Sequence, residues 1–282
     1  MTNAIVHTRV RKVAVESITD TSDILAAEEP LEIRLVHGPT HNRRQQNISV
    51  TMRTPGEDME LAAGFLFTEG IISGQDDIQE IILSEDKEDQ MATVHLKPGV
   101  AAQLSNTARN FTATAACGVC GKTAISAIHT AVSVSDNDIR FPADRLFGLP
   151  AILRHEQALF DTTGGLHAAA LFDANGALLM LREDIGRHNA VDKIIGAAMA
   201  QQLMPLKNHL LLLSGRAGFE LIQKAAMANI PVIAAIGAPS SMAVKMADAW
   251  RITLVGFLKE QRFNIYSTPE RIDFKSKVTH HG

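Results

Sequence analysis

The chain has 282 residues, 46% of them hydrophobic, and a formal net charge of −4. That is enough apolar material for one large core or two modest ones, and the dispersed basic residues exclude a general nucleic-acid binder. The densest basic stretch, His41-Asn42-Arg43-Arg44, is too short to track a phosphate backbone, and no segment has the apolar length of a signal sequence or a membrane span, so a soluble, cytoplasmic protein is expected.

Residues 1–24 read as a loosely determined lead-in. Leu31, Ile33 and Leu35 then alternate with Glu32 and Arg34, the period of a half-buried strand, and Ile48, Val50 and Met52 repeat the pattern. A helix is expected next, with Thr54 as N-cap, Pro55 at its first position and Glu57 closing a capping box, running to Gly70. Short strands are expected at 79–84 and 92–97. Gly99 to Ala116, rich in Ala, Thr, Asn and Ser, has no period and reads as a mobile connection.

That connection leads into Cys117-Gly118-Val119-Cys120, which holds the only two cysteines of the chain. A disulfide-stapled secreted chain would show more cysteines at wider spacing. Ile125, Ile128 and Val132 place a helix over 122–134, so the pair lies in a glycine-flanked loop at a helix N-terminus. Partial positive charge there, with Lys122 close by, favours the nucleophilic thiolate. Redox exchange, a zinc site completed by His129 and His167, and persulfide carriage all fit this spacing. Ala116 to Thr123 misses the P-loop pattern because alanine stands where the first glycine is needed.

A helix over 143–160, interrupted near Pro150, comes next. Thr162-Thr163-Gly164-Gly165-Leu166-His167 pairs glycines with a histidine, either a tight turn or backbone close to a ligand. In Arg182 to Lys193, a helix would put Asp184, His188 and Asp192 on one face and Val191, Ile194, Ile195 and Ala198 on another. Arg187, His188 and the helix-weakening Gly186 tilt that run towards a functional reading.

The last third alternates strands (209–213, 230–236, 252–257) with helices (218–229, 240–250), the signature of βαβ units and a parallel sheet. Three segments fall at the carboxyl ends of those strands: Ser214-Gly215-Arg216, Ala238-Pro239-Ser240-Ser241, and Phe257-Leu258-Lys259-Glu260-Gln261-Arg262. Such ends bind ligands in open α/β sheets, and helix N-termini there favour anions. The cations and serine hydroxyls suit a phosphorylated or nucleotide-bearing ligand.

These segments, in this order, resemble the formate dehydrogenase accessory sulfurtransferase family, usually called FdhD. The resemblance runs through E-P-L-E-I-R at 29–34, T-M-R-T-P-G-E-D at 51–58, G-F-L-F-T-E-G-I-I at 64–72, C-G-V-C-G-K at 117–122 and T-G-G-L-H-A-A at 163–169. R-E-D-I-G-R-H-N-A-V-D-K at 182–193, S-G-R at 214–216, A-P-S-S at 238–241 and L-V-G-F at 254–257 complete it. It implies that a cysteine desulfurase loads Cys117 with a persulfide, that Cys120 assists, and that the sulfur passes to a molybdenum bis(molybdopterin guanine dinucleotide) cofactor destined for formate dehydrogenase. The cofactor segment of the family matches Phe257 to Arg262, and His167, Arg187, His188, Ser214, Gly215, Arg216, Ser240 and Ser241 are further candidates to touch it. A homodimer and a cytidine-deaminase-like C-terminal fold are also implied. Ala115-Ala116 and Gly218 depart from the family, which often has serines there.

The resulting expectation is an α/β protein: an α+β unit over 1–110, then a cytidine-deaminase-like domain over 111–282 with a largely parallel sheet. A zinc deaminase is the enzymatic rival, but it needs His-x-Glu followed by Pro-Cys-x-x-Cys. Here the order is reversed and Ala168-Ala169 follows His167. The other rival is a cofactor carrier in which the cysteines are incidental.

Overall fold

A computed structural model describes residues 4–84, 90–104, 111–112 and 139–274. The cysteine pair, the helix expected over 122–134 and Ala115-Ala116 lie outside the described residues, as does most of the connection from Gly99 to Ala116.

The first departure is at the start. Residues 1–24 read as a loosely determined lead-in, yet β1 (Ile5–Ala14) and β2 (Ser17–Ala26) pair antiparallel in full register as a separate two-stranded sheet. Exposure on both faces removes the apolar alternation that would have marked these strands. A five-stranded sheet follows, built from β3 (Glu29–His37), β4 (Arg44–Arg53), β5 (Ile78–Leu83), β6 (Met91–Leu96) and β7 (Phe111–Thr112), in the order β5-β6-β3-β4-β7. Leu31, Ile33 and Leu35 face its core as their alternation predicts.

Helix α1 (Asp58–Thr68) starts later than expected and without the capping box. Its N-cap is Glu57, in the left-handed region at φ 54°, and no side chain caps it. Thr54 is instead held by tertiary bonds: its hydroxyl donates to the Ala27 carbonyl (3.1 Å) and accepts from Ile185 N–H (3.2 Å), while its own N–H donates to Asp184 Oδ2 (3.2 Å).

The strand β8 (Phe141–Pro142) leads into α2 (Ala143–Leu146), α3 (Leu149–Glu156) and α4 (Ala158–Thr163), three short helices where one interrupted near Pro150 was expected. Pro150 sits inside the first turn of α3, where a missing N–H costs nothing, so the break falls before it.

The second sheet has the order β10-β9-β11-β12-β13-β14, from β9 (His167–Asp173), β10 (Leu178–Asp184), β11 (His209–Leu213), β12 (Val232–Ala235), β13 (Thr253–Lys259) and β14 (Arg262–Ser267). The α/β class and the expected βαβ units stand. Parallel pairing is confined to β11-β12-β13, and the flanking strands are antiparallel, so the sheet is mixed rather than largely parallel. Between these strands run α5 (Arg187–Ala200), α6 (Phe219–Met227) and α7 (Ser241–Ala249), and β15 (Ile272–Asp273) pairs with β8.

Successive residues of β9 and β11 point to opposite faces. Ala169, Leu171, Leu211 and Leu213 join a large core with α1, α5, α6 and the first sheet, while Ala168, Phe172, Leu210 and Leu212 join a second core under α2 and α3. The large core runs without interruption from Leu31 to Leu254, spanning both stretches assigned to separate units. The crossing of α1 and α5 makes this possible. A Cβ on Gly64 would lie 1.9 Å from the Asp192 carbonyl oxygen, and one on Gly196 would lie 1.9 Å from that of Glu60. Only glycine at both positions lets the two backbones touch.

Candidate functional site

The run from Arg182 to Lys193 organises the site, though not as a helix face. Asp184 closes β10 and α5 begins only at Arg187, so Asp184, His188 and Asp192 do not share a face. Each charge at the end of β10 has a separate distant partner. Arg182 grips both carboxylate oxygens of Glu60 on α1 (2.5 and 2.8 Å). Glu183 accepts the N–H groups of Leu159 and Phe160, holding the start of α4. Burial pushes the Glu183 carboxyl up from its usual range, and those two N–H bonds pull it partly back.

Asp184 is fully buried and meets the equally buried Lys193 ammonium at 3.0 Å. It also accepts from Gly186 N–H (2.8 Å) and Asn189 Nδ2 (3.0 Å). Gly186 therefore does have a structural return: a Cβ there would crowd Asn189 Nδ2 at 3.1 Å. Asp192 faces the other way, taking Lys224 Nζ on both oxygens at 2.9 Å and the Thr68 hydroxyl at 2.8 Å. Burial alone would lower Lys224, but Asp192 and Glu69 hold it above its ordinary value. Most of this run is frame. What it presents beyond the frame is Arg187 and His188, the latter with Nε2 2.9 Å from Glu220 Oε2.

The carboxyl ends of the parallel strands are stitched together by backbone. Gly237 N–H donates to the Gly215 carbonyl (3.0 Å), and Phe257 N–H donates to the Gly237 carbonyl (3.1 Å). A Cβ on Gly237 would lie 2.9 Å from the Gly215 carbonyl oxygen, so glycine is required for that approach. Phe257 adopts φ 52°, an uncommon conformation for a bulky side chain.

Two adjoining clefts open at these ends. One, of about 570 Å³, is bounded by His167, Ser214, Gly215, Gly164 and Gly165, with Leu153, Gln157 and Phe160 of the α3–α4 segment as its wall. The other, of about 640 Å³, is bounded by Leu258, Lys259, Glu260, Gln261 and Arg262. Pro150 and Ile236 line both. Leu258 to Arg262 form the end of β13, a tight turn and the start of β14, so this strand end is a hairpin. Burial first, then the neighbouring Arg187, His188 and Arg216, lowers the His167 pKa, although Asp184 opposes this. A neutral imidazole in the first cleft can both donate and accept one hydrogen bond.

Ser214 Oγ accepts from Ala168 N–H (2.8 Å), and Ser240 Oγ caps α7 by accepting from Ala243 N–H (3.2 Å). Phe257, Arg216, Ser240, Ser241, Arg187 and His188 are absent from the lining of both clefts. Sequence reasoning placed one break near Pro150 but not the second at Gln157, between α3 and α4, and so missed the cleft wall they form. The paired glycines before His167 did mark the cleft.

Gly215 is packed against His167. An added methyl would lie 3.2 Å from Nδ1 and 3.4 Å from Cε1, so Gly215→Ala should move the imidazole by a few tenths of an ångström. The expected result is a shifted His167 ring resonance in NMR with a melting temperature changed by less than about 3 °C. Unmoved ring signals would show that the contact is slack.

The fold and clefts define a mixed α/β protein with paired ligand-sized clefts at the carboxyl ends of its parallel strands, one of them edged by Lys259 and Arg262. The chain belongs to the FdhD/NarQ family, whose model matches residues 26–273. It is 45% identical over 279 residues to the sulfur carrier protein FdhD of Streptomyces coelicolor, covering 96% of this chain and 95% of the relative. The protein of that name from Sulfolobus acidocaldarius is 40% identical over 270 residues, covering 94% and 99%. A solved structure described as a formate dehydrogenase accessory protein from Desulfotalea psychrophila shares the fold, with a TM-score of 0.75, 23% identity and coverage of 95% and 99%. No helix among the described residues is long and apolar enough to cross a membrane.

Proposed function

We propose that this chain is a sulfur carrier serving formate dehydrogenase. It takes sulfur on Cys117 from a cysteine desulfurase and delivers it to a molybdenum bis(molybdopterin guanine dinucleotide) held along the two clefts. Membership of the FdhD/NarQ family over residues 26–273, with relatives named as sulfur carriers, is the observation that carries this reading. In the loading step the Cys117 thiolate attacks the outer sulfur of the donor's persulfide. One S–S bond breaks, another forms at Cys117, and the donor leaves as its thiolate, so no external oxidant is needed. Cys120 assists by receiving or releasing that sulfur. The clefts support the second half of the reading: Lys259 and Arg262 suit phosphate oxygens, and neutral His167 suits a polar group at the other end.

Incubation with a cysteine desulfurase and cysteine should add one sulfur atom to the intact mass of the chain. Cys117→Ala should abolish that gain and the formate dehydrogenase activity of cells in which it is the sole copy. Normal dehydrogenase activity with Cys117→Ala would refute sulfur transfer and leave a carrier with incidental cysteines.

A further inference from the structure

We infer that Glu183 is a positioning residue for the His167 cleft: it acts through α4, latching this short helix as a hinged wall over the bound ligand. The inference deepens the proposed function and rests on it. Three charged residues end β10, and their charges are met differently. Arg182 has Glu60 as its ion-pair partner and Asp184 has Lys193. Glu183 is 8% exposed, and what meets its charge is α4. The Leu159 N–H donates to one carboxylate oxygen (3.0 Å) and the Phe160 N–H to the other (2.9 Å), and the Gln157 side chain adds a further hydrogen bond. Burying a carboxylate is costly unless hydrogen bonds replace its water, so both oxygens are committed to this segment.

The helix adds nothing to the core. None of its six residues is buried, and the Thr162 and Thr163 hydroxyls bond carbonyls of their own helix. Its other ties are to β2 and to Arg154, which pairs with Asp161 and lies over the Phe160 ring at 4.6 Å. The Arg154 and Asp161 side chains are both more than half exposed, and ion pairs of that kind contribute little. Both ends of α4 can turn. At one end the chain breaks at Gln157, which closes α3 and opens α4 with ψ 68°. At the other, Gly164 and Gly165 are exposed, and a Cβ on Gly164 would meet nothing within 4 Å.

What Glu183 holds is the cleft itself. Gln157, Phe160, Gly164 and Gly165 all line it, and the chain runs from Gly165 through Leu166 straight into His167. The place of α4 therefore sets the wall that faces His167 and Ser214. An unlatched wall swings out more often, so a bound ligand leaves sooner while its entry is not slowed.

Guanosine diphosphate, a fragment of the proposed cofactor, is the probe. In stopped-flow binding, Glu183→Ala should raise its dissociation rate about tenfold or more, since two charge-assisted hydrogen bonds are lost, without lowering the association rate. Glu183→Gln keeps the size of the side chain and one acceptor oxygen, so it should fold as the unaltered chain does and dissociate at an intermediate rate. The melting temperature should fall by less than about 4 °C in either, because α4 gives up no buried residue. In hydrogen exchange the probe should protect the Leu159 and Phe160 amides of the unaltered chain but not those of Glu183→Ala. Asp161→Asn breaks only the surface pair and should leave both rate constants unchanged. A carboxylate that merely supported the fold would lower the melting temperature and the active fraction and leave the rates of the folded molecules unchanged. That result would overturn the inference and leave the cofactor reading standing. A probe that failed to bind the unaltered chain would overturn the cofactor reading and the inference with it.

Discussion

Gly196→Ala is expected to destabilise the protein by about 3 kcal/mol or more, at or beyond the upper end of overpacking effects. The new methyl would stand 1.9 Å from the Glu60 carbonyl oxygen, 2.6 Å from its carbonyl carbon and 2.9 Å from its Cα. All three are backbone atoms of α1, so no side chain can turn aside and the helices must separate by more than 1 Å. Separation would strain the Thr68–Asp192 bond, which spans the same crossing, and the Arg182–Glu60 fork, which ties α1 to β10. In a domain whose total stability is about 5–15 kcal/mol, that is a large fraction. Urea or thermal unfolding should show a melting temperature lower by at least about 6 °C. Gly148→Ala is the control: Gly148 is already in the right-handed helical region at φ −80°, and its Cβ would meet nothing nearer than 3.6 Å. Equal stability of the two variants would mean that α1 and α5 can slide apart freely.

Gly64 and Gly196 also show where sequence reading runs out. Local period was enough for β3, for β11 and for the βαβ units around α6 and α7, because each buries a continuous stripe or face. The glycine pair carries no local mark, since its reason is a backbone lying more than a hundred residues away. The same holds for Arg182, Glu183 and Asp184. They read as a charged helical face because their partners Glu60, the start of α4 and Lys193 are visible only in three dimensions. Thr54 looked like a cap because its neighbours fit one, and its tertiary bonds to Ala27 and Ile185 prevailed. At the site, Gly164-Gly165-His167 and the basic hairpin were legible as segments. Their meeting across Pro150 and Ile236 was not, because it depends on how segments far apart in the chain pack together. The cysteine pair was legible from its own chemistry and lies outside the described residues.

Lys193→Met is expected to cost about 3–5 kcal/mol, the usual result of removing one partner from a buried ion pair. Lys193 and Asp184 are both fully buried at 3.0 Å, and the ammonium also donates to the Thr54 (3.1 Å) and Glu183 (3.3 Å) carbonyls. Methionine keeps the volume but strands the carboxylate and leaves two carbonyls short of a donor. Adding Asp184→Asn removes the stranded charge, and the amide can still accept from Gly186 and Asn189. The double variant should therefore recover at least about 1 kcal/mol of the single variant's loss, as expected for directly coupled residues. Urea unfolding of both variants and of Asp184→Asn alone checks this, and simple additivity would disprove the coupling. The double variant also separates stability from placement. Lys193 ties the Thr54–Glu57 loop to the end of β10, the segment that turns through Gly186 into Arg187 and His188. If the double variant regains stability yet restores little sulfur delivery, the pair acts by aiming those two side chains rather than by holding the fold together.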